Sequence, residues 1–308
     1  MSKIPIIVIC GPTASGKTAL SIKIAKRFGG EIVSADSMQI YRYMDIGTAK
    51  PDMTERDGVV HHMIDIINPD ETYSVAQYVE QAHEVIKDIK SSKKVPVVTG
   101  GTGLYINSLI DDVDFGKNDS DHKIRDELQK IADEQGIDVL VEELRKFDPI
   151  SAEKIHKNNT RRIIRAIEFY KMTGTPISEH QAETKKKESR YLPCLLAIKW
   201  DMEKLYERIE KRVDIMVEQG LINEVKTLEK MGYINSALSM QGIGYKETAE
   251  YLKGEITLDE AIDKIKTGTR HYAKRQMTWF RRDKRINWID YDADIFSEAE
   301  RILKESGF

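Results

Sequence analysis

The chain has 308 residues, 32% of them charged, and a formal net charge of −3 at neutral pH. That length implies one large domain with an insert, or two domains, and the near balance of charge excludes a uniformly basic nucleic-acid coat. No apolar stretch reaches the ~20 residues of a membrane helix and the N-terminus runs straight into a strand, so a cytoplasmic protein without membrane association is expected.

The first element is a short apolar run, Ile4 to Cys10. It is followed by Gly11-Pro12-Thr13-Ala14-Ser15-Gly16-Lys17-Thr18 and then by helical periodicity at Ala19, Leu20, Ile22, Ile24 and Ala25. Strand, glycine loop and helix around G-x-x-x-x-G-K-[ST] are the context of a P-loop. Its glycines let backbone N–H groups curl round phosphate oxygens, and the helix N-terminus adds a positive dipole end. Lys17 would set an ammonium beside the terminal phosphate, and the Thr18 hydroxyl would coordinate a Mg²⁺ bridging two phosphates. The chain is expected to bind a diphosphate or triphosphate ester, ATP being one candidate. Cys10 and Cys194 both sit in apolar strand-like runs and read as small buried hydrophobes in a reducing compartment.

The second strand, Glu31 to Ala35, ends at Asp36. In an open parallel sheet ligands gather at the carboxyl ends of strands, so Asp36 should share a rim with the P-loop. The following loop, Ser37-Met38-Gln39-Ile40-Tyr41-Arg42, mixes polar, apolar and aromatic groups that suit a flat heteroaromatic partner; the plainer alternative is that Asp36 caps a turn. Gly47 to Pro51 breaks the chain. His61-His62 lack a partner at metal-ligand spacing, which favours local structural roles before a strand over Met63 to Ile67. Tyr73 to Ile89 reads as an amphipathic helix with Ser74 as N-cap. Lys94 to Val98 is a buried strand running into Thr99-Gly100-Gly101-Thr102-Gly103. Many P-loop hydrolases place an acid here; its absence counts against an ATP-hydrolysing machine.

From Asp111 to about Asn118 the pattern lapses into an acidic loop, and from His122 to Tyr170 it turns helical. The chain therefore reads as an α/β protein, a P-loop NTPase-like parallel sheet flanked by helices (1–118 and 190–308), with an all-helical insertion at 119–189. Arg161 and Arg165 fall four apart on one helix face, and the triplet Lys185-Lys186-Lys187 reads as a solvated run. Leu192 to Trp200 returns to strand. Arg208 and Arg212 sit four apart on a helix from Met202 to Gln219, ended by Gly220. The turn Ser239-Met240-Gln241-Gly242-Ile243-Gly244-Tyr245 is too specific for idle linker. The last long helix, Leu258 to about Phe280, carries Lys266, Arg270 and Lys274 at four-residue spacing. Ala261, Ile262, Ile265, Tyr272 and Met277 would pack on the body. That basic stripe is either a footprint for nucleic-acid phosphates or a solvated face balanced by Asp259, Glu260 and Asp263.

Taken in order, GPTASGKT, DSMQIYRYMDIGTAKP, HHMID, TGGTGLY, the arginine pair before Gly220, SMQGIGYKE and YAKRQMTWFR resemble the bacterial tRNA dimethylallyltransferase (isopentenyltransferase) family, from residue 4 to about 290. The resemblance implies transfer of a dimethylallyl group from dimethylallyl diphosphate to N6 of the adenosine 3′ to the anticodon, with Mg²⁺ required and diphosphate released. It further implies that the base is flipped into a channel, as for other enzymes acting on a base. Asp36 would accept the amine proton, Lys17, Thr18 and the P-loop amides would hold the leaving group, Arg212 would assist there, and Thr102 would lie near the acceptor base. Contacts to the anticodon stem-loop would come from Asp36, Ser37, Met38, Gln39 and Thr102. Arg125, Arg161, Arg162, Arg165, Gln241, Gly242, Lys246, Lys266, Arg270 and Lys274 would add to them. The zinc module of some eukaryotic relatives is absent, and a monomer is expected. Two other classes fit the P-loop alone: a small-molecule kinase, and a non-catalytic RNA-binding NTP switch. The missing acid after Val98 and the basic C-terminal helix weigh against the first, and Asp36 beside the P-loop against the second.

Overall fold

The computed structural model describes residues 3–113, 115, 122–184, 188–235 and 238–308. The lysine triplet 185–187, residues 114 and 116–118 of the acidic loop, and the boundary placed at 118–119 lie outside the described residues.

In chain order the elements begin with β1 (Ile4–Cys10), α1 (Lys17–Phe28), β2 (Gly30–Ser34), α2 (Met53–Arg56) and β3 (His61–His62). There follow α3 (Val75–Ser91), β4 (Val95–Gly100) and α4 (Gly103–Ile110). The helices α5 (His122–Gln135), α6 (Ile137–Phe147), α7 (Pro149–Lys154), α8 (Thr160–Thr173) and α9 (Ile177–Thr184) come next. The chain closes with β5 (Tyr191–Lys199), α10 (Met202–Glu218), α11 (Leu221–Lys230), α12 (Tyr245–Leu252), α13 (Leu258–Phe280), β6 (Ile286–Asp290) and α14 (Ile295–Glu305).

Two compact units result, Met1–Ile110 with Ser189–Phe308, and Asp111–Glu188. The first carries a parallel sheet in the order β3-β2-β4-β1-β5-β6. Helices cover both faces of such a sheet, so its central strands read as continuous apolar runs; Ile6 to Ile9 are fully buried. β1 lies between β4 and β5, so the P-loop leaves the carboxyl end of a central strand. α1 starts without a side-chain cap, from Gly16 in the left-handed region, which leaves its first N–H groups unclaimed by a cap. It stops at left-handed Gly29, with Lys26 and Arg27 in the last turn, where cations suit the dipole. α3 opens with a capping box of Ser74 and Gln77.

One sequence expectation changes here, one holds, and two elements are new. The strand over 63–67 is absent: β3 ends at His62, and Met63 and Asp65 take positive φ, which strand pairing does not tolerate. Instead Ile66 N–H donates to Ile40 O, and the Arg42 guanidinium donates to Asp65 O and Ile66 O, tying this segment to the loop after β2. The histidines do take structural roles, His61 Nδ1 lying 2.9 Å from Val59 O and His62 Nε2 2.6 Å from Glu31 Oε2. Finally, β6 and α14 were not anticipated; β6 extends the sheet beyond β5, and α14 buries Ala299 and Leu303 beside it.

The second unit is helical among its described residues and has its own core around Leu128, Leu140, Leu144, Ile163 and Ile167. Glu168, buried within it, accepts from both Arg125 and Arg165.

Candidate active site

The carboxyl rim of the sheet opens into a cavity of about 360 Å³ within the first unit. Its lining takes in Thr13, Lys17, Thr18, Asp36, Ser37, Met38, Gln39, Arg212, Gln241 and Gly242 of the residues singled out from sequence. α13 runs along it, contributing Ile265, Thr269, Tyr272, Arg275 and Gln276. At 1.5 Å per residue that wall spans about 16 Å.

The P-loop is held open from behind. Lys17 Nζ donates to Pro12 O at 3.2 Å, Arg208 Nε to Ala14 O at 2.9 Å and Trp200 Nε1 to Ser15 O at 3.0 Å. The Arg208 guanidinium also stacks over the Trp200 ring, 4.6 Å from its centroid. With the Ala14 and Ser15 carbonyls drawn to Arg208 and Trp200, peptide planarity turns the Ser15 and Gly16 N–H edges the other way, the arrangement an anion needs. Thr13 N–H donates to Gln276 Oε1 at 2.9 Å, and Gln276 Nε2 to Gly101 O at 2.8 Å, so one buried side chain of α13 joins the P-loop to the second glycine turn. A Cβ on Gly101 would lie 2.3 Å from Gln276 Nε2, so any larger residue would push that amide from its place.

Burial pushes the Lys17 ammonium down to about 8, with the Arg212 cation acting in the same direction and Asp36 against it. Arg212 is likewise lowered, mainly by burial, and Asp36 opposes this too. Arg212 Nη1 reaches Thr13 Oγ1 at 3.5 Å. Two enclosed cations and one carboxylate therefore face the same space, a field suited to a multiply charged anion.

On the β2 side, Met38 N–H donates to Asp36 Oδ1 at 2.9 Å, and the carboxylate makes no other hydrogen bond among the described residues. Thr102 Oγ1 accepts from Ser37 N–H at 3.0 Å and lies 3.2 Å from Ser37 Oγ, so Thr102 buttresses the Asp36 segment without lining the cavity. Gly100 permits this approach, since a Cβ there would sit 2.2 Å from Ala35 O. Tyr272, expected in the core, is half-buried and lines the cavity. Burial, and then the charge of Asp36, push its hydroxyl up to about 12, which keeps it a neutral hydrogen-bonding group.

The remaining sequence candidates lie elsewhere. Lys266 pairs with Asp214 at 2.6 Å and Arg270 with Glu210, so α10 neutralises two thirds of the basic stripe, while Lys274 is exposed. The balancing acids come from α10, not from Asp259, Glu260 and Asp263 of the same helix. Lys246 lies 3.9 Å from Glu250, one turn on. Arg125 and Arg165 meet on Glu168 in the helical unit, and Arg161 and Arg162 are exposed in the first turn of α8. Sequence reasoning gave no site role to Trp200 or Gln276; the glutamine falls within YAKRQMTWFR, but no linear pattern shows that it bonds a loop 263 residues away.

No group of three or more His, Cys, Asp or Glu able to hold a metal occurs among the described residues. A Mg²⁺ that keeps its waters and takes one protein hydroxyl plus phosphate oxygens needs no such cage. Thr18 lines the cavity with its hydroxyl unbonded among the described residues, and Ser15 Oγ in the same loop is a buried hydroxyl without a partner. These residues fit the ion.

The IPP transferase family profile matches residues 39–283. A tRNA dimethylallyltransferase from Acetivibrio thermocellus is 54% identical over 97% of this chain and 95% of its own. One from Carboxydothermus hydrogenoformans is 50% identical over 98% and 97%. Among solved structures, the tRNA isopentenylpyrophosphate transferase of Bacillus halodurans aligns with a TM-score of 0.71 at 43% identity, covering 99% of this chain and 95% of that one. A eukaryotic dimethylallyltransferase acting on tRNA aligns with a TM-score of 0.84 at 31% identity, covering 97% and 78%. The chain belongs to the IPP transferase family.

Proposed function

We propose that this chain is a tRNA dimethylallyltransferase: it moves the dimethylallyl group of dimethylallyl diphosphate to N6 of the adenosine 3′-adjacent to the anticodon and releases diphosphate. The observation that carries this reading is one cavity lined by Lys17, Thr18 and Arg212 on the phosphate-loop side and by Asp36 on the other. An exocyclic adenine amine is a weak nucleophile and must shed a proton as its bond to carbon forms; the Asp36 carboxylate is the acceptor within reach. The N6–C1 bond forms as the C1–O bond breaks, and the leaving diphosphate takes the electron pair. Lys17, Arg212 and the P-loop amides stabilise that growing negative charge. Thr18 would hold a Mg²⁺, which when bound supplies further charge neutralisation to the diphosphate. Flanking unpaired bases would meet Ser37 to Gln39 and the Gln241–Gly242 turn, the single-stranded mode by which RNA sequence is read.

The test is incubation of the protein with Mg²⁺, radiolabelled dimethylallyl diphosphate and an unmodified tRNA carrying adenosine next to the anticodon. Label recovered in that adenosine is the expected result; RNA without label, with ATP consumed instead, would return the P-loop to a kinase or switch.

A further inference from the structure

The segment Asp45-Ile46-Gly47-Thr48-Ala49-Lys50 plays no part in the chemistry above, yet Gly47, Thr48 and Ala49 line the cavity. Glu224, in the first turn of α11, reaches into this segment. Its Oε2 accepts from Asp45 N–H at 2.9 Å and Ile46 N–H at 2.7 Å; its Oε1 accepts from Gly47 N–H at 3.1 Å and the Tyr245 hydroxyl at 2.7 Å. Three successive amides converging on one point form an anion nest, and here the anion is built into the protein. The fit is close, because a Cβ on Gly47 would lie 2.6 Å from the Tyr245 ring.

The hydrogen bonds continue inward from the nest. Thr48 O and Ala49 O accept from Gln39 Nε2 at 3.3 and 3.2 Å, and Gln39 Oε1 accepts from Ser34 Oγ at 3.2 Å. Gln39 lies three residues after Asp36. On the other side of the turn, the buried Lys50 ammonium pairs with Asp45 and Asp65 and donates to Tyr41 O. One carboxylate on α11 thus anchors a chain of bonds that ends at the strand and loop carrying Asp36.

We infer that Glu224 is a positioning residue for the transfer step: by filling the 45–47 nest it holds Gln39, and through it the Asp36 segment, in register with the acceptor base. This rests on the transfer reaction proposed above. Removing the charge should leave the P-loop side untouched and loosen the proton-accepting side, so binding of the donor and turnover should part company.

The experiment compares wild-type protein with Glu224→Gln and Glu224→Ala, measuring dimethylallyl diphosphate affinity without RNA and then label transfer to tRNA at saturating substrates. Glutamine keeps the shape but sets an NH₂ donor among N–H donors. The expected result is a donor Kd within about twofold of wild type and a kcat lowered at least about tenfold in both variants. Formate should restore part of the kcat of Glu224→Ala by occupying the emptied nest. If Glu224→Gln, folded by circular dichroism, turns over within about twofold of wild type, the inference is wrong. It is equally wrong if donor affinity falls in step with kcat, or if formate fails to raise the kcat of folded Glu224→Ala. Wild-type protein that transfers no label would instead sink the proposed function itself.

Discussion

Lys17 is an ammonium enclosed by its own loop, close to a second cation, with its acidity raised until it titrates at about 8. Because the folded value is depressed, the folded chain releases this proton near pH 8 while the unfolded chain keeps it up to about 10.4. Stability from this group therefore rises with pH between those values. Donor binding runs the other way, since a diphosphate needs the cation. Donor Kd should be flat below about pH 7, weaken as pH rises through 8, and show proton uptake by calorimetry in buffers of differing ionisation enthalpy. Asp36 has a different signature. Asp36→Asn keeps a hydrogen-bonding oxygen for Met38 N–H but cannot take up a proton at neutral pH. It should lower single-turnover transfer by about a hundredfold or more while donor affinity holds; a loss under about tenfold would remove the general-base role.

At the scale of elements, α10 and α13 are the pair that shapes the site. α10 contributes Arg208 and Arg212 to the phosphate side, and interleaved with them Glu210 and Asp214 neutralise Arg270 and Lys266 on α13. Paired cations of this kind offer little to RNA phosphates, because releasing them costs the existing pair. Exposed cations include Lys274 and Arg275 and, beyond the end of α13, Arg281, Arg282 and Lys284. Changing Lys266 and Arg270 together to Ala should leave the slope of log K against log salt for tRNA binding nearly unchanged. Changing Lys274, Arg281 and Arg282 should flatten it, by about 1 for each phosphate left without its cation.

For the whole molecule, the sheet-bearing unit gathers residues from both ends of the chain, Met1–Ile110 and Ser189–Phe308. The P-loop at residue 13 is completed by a glutamine at 276, so phosphate binding reports on the integrity of the entire unit. Inorganic diphosphate with Mg²⁺, at about 100 times its Kd, should stabilise the chain by about 2.7 kcal/mol and raise its melting temperature. Lys17→Ala should remove most of that shift while melting in the absence of ligand close to wild type.

Much of this was legible in the sequence because the chemistry is local. A strand, a glycine loop and a helix N-terminus are set by consecutive residues, so the P-loop, Asp36 at the end of β2 and the Ser74 cap of α3 could be read from spacing alone. The parallel sheet followed from alternation of short apolar runs with helical periods. What only the tertiary structure decided depends on contacts across the chain. Whether a cation on α13 faces RNA or an acid depends on what packs beside it, and α10 decided that. Met63 to Ile67 has strand composition, yet its hydrogen bonds go to the loop after β2, and left-handed Met63 and Asp65 break the pairing. Glu224 lies in no motif, and Gln276 sits within YAKRQMTWFR without any spacing that shows its partners. Each is a single polar side chain whose partners are backbone groups of a distant loop, and backbone groups have no sequence signature.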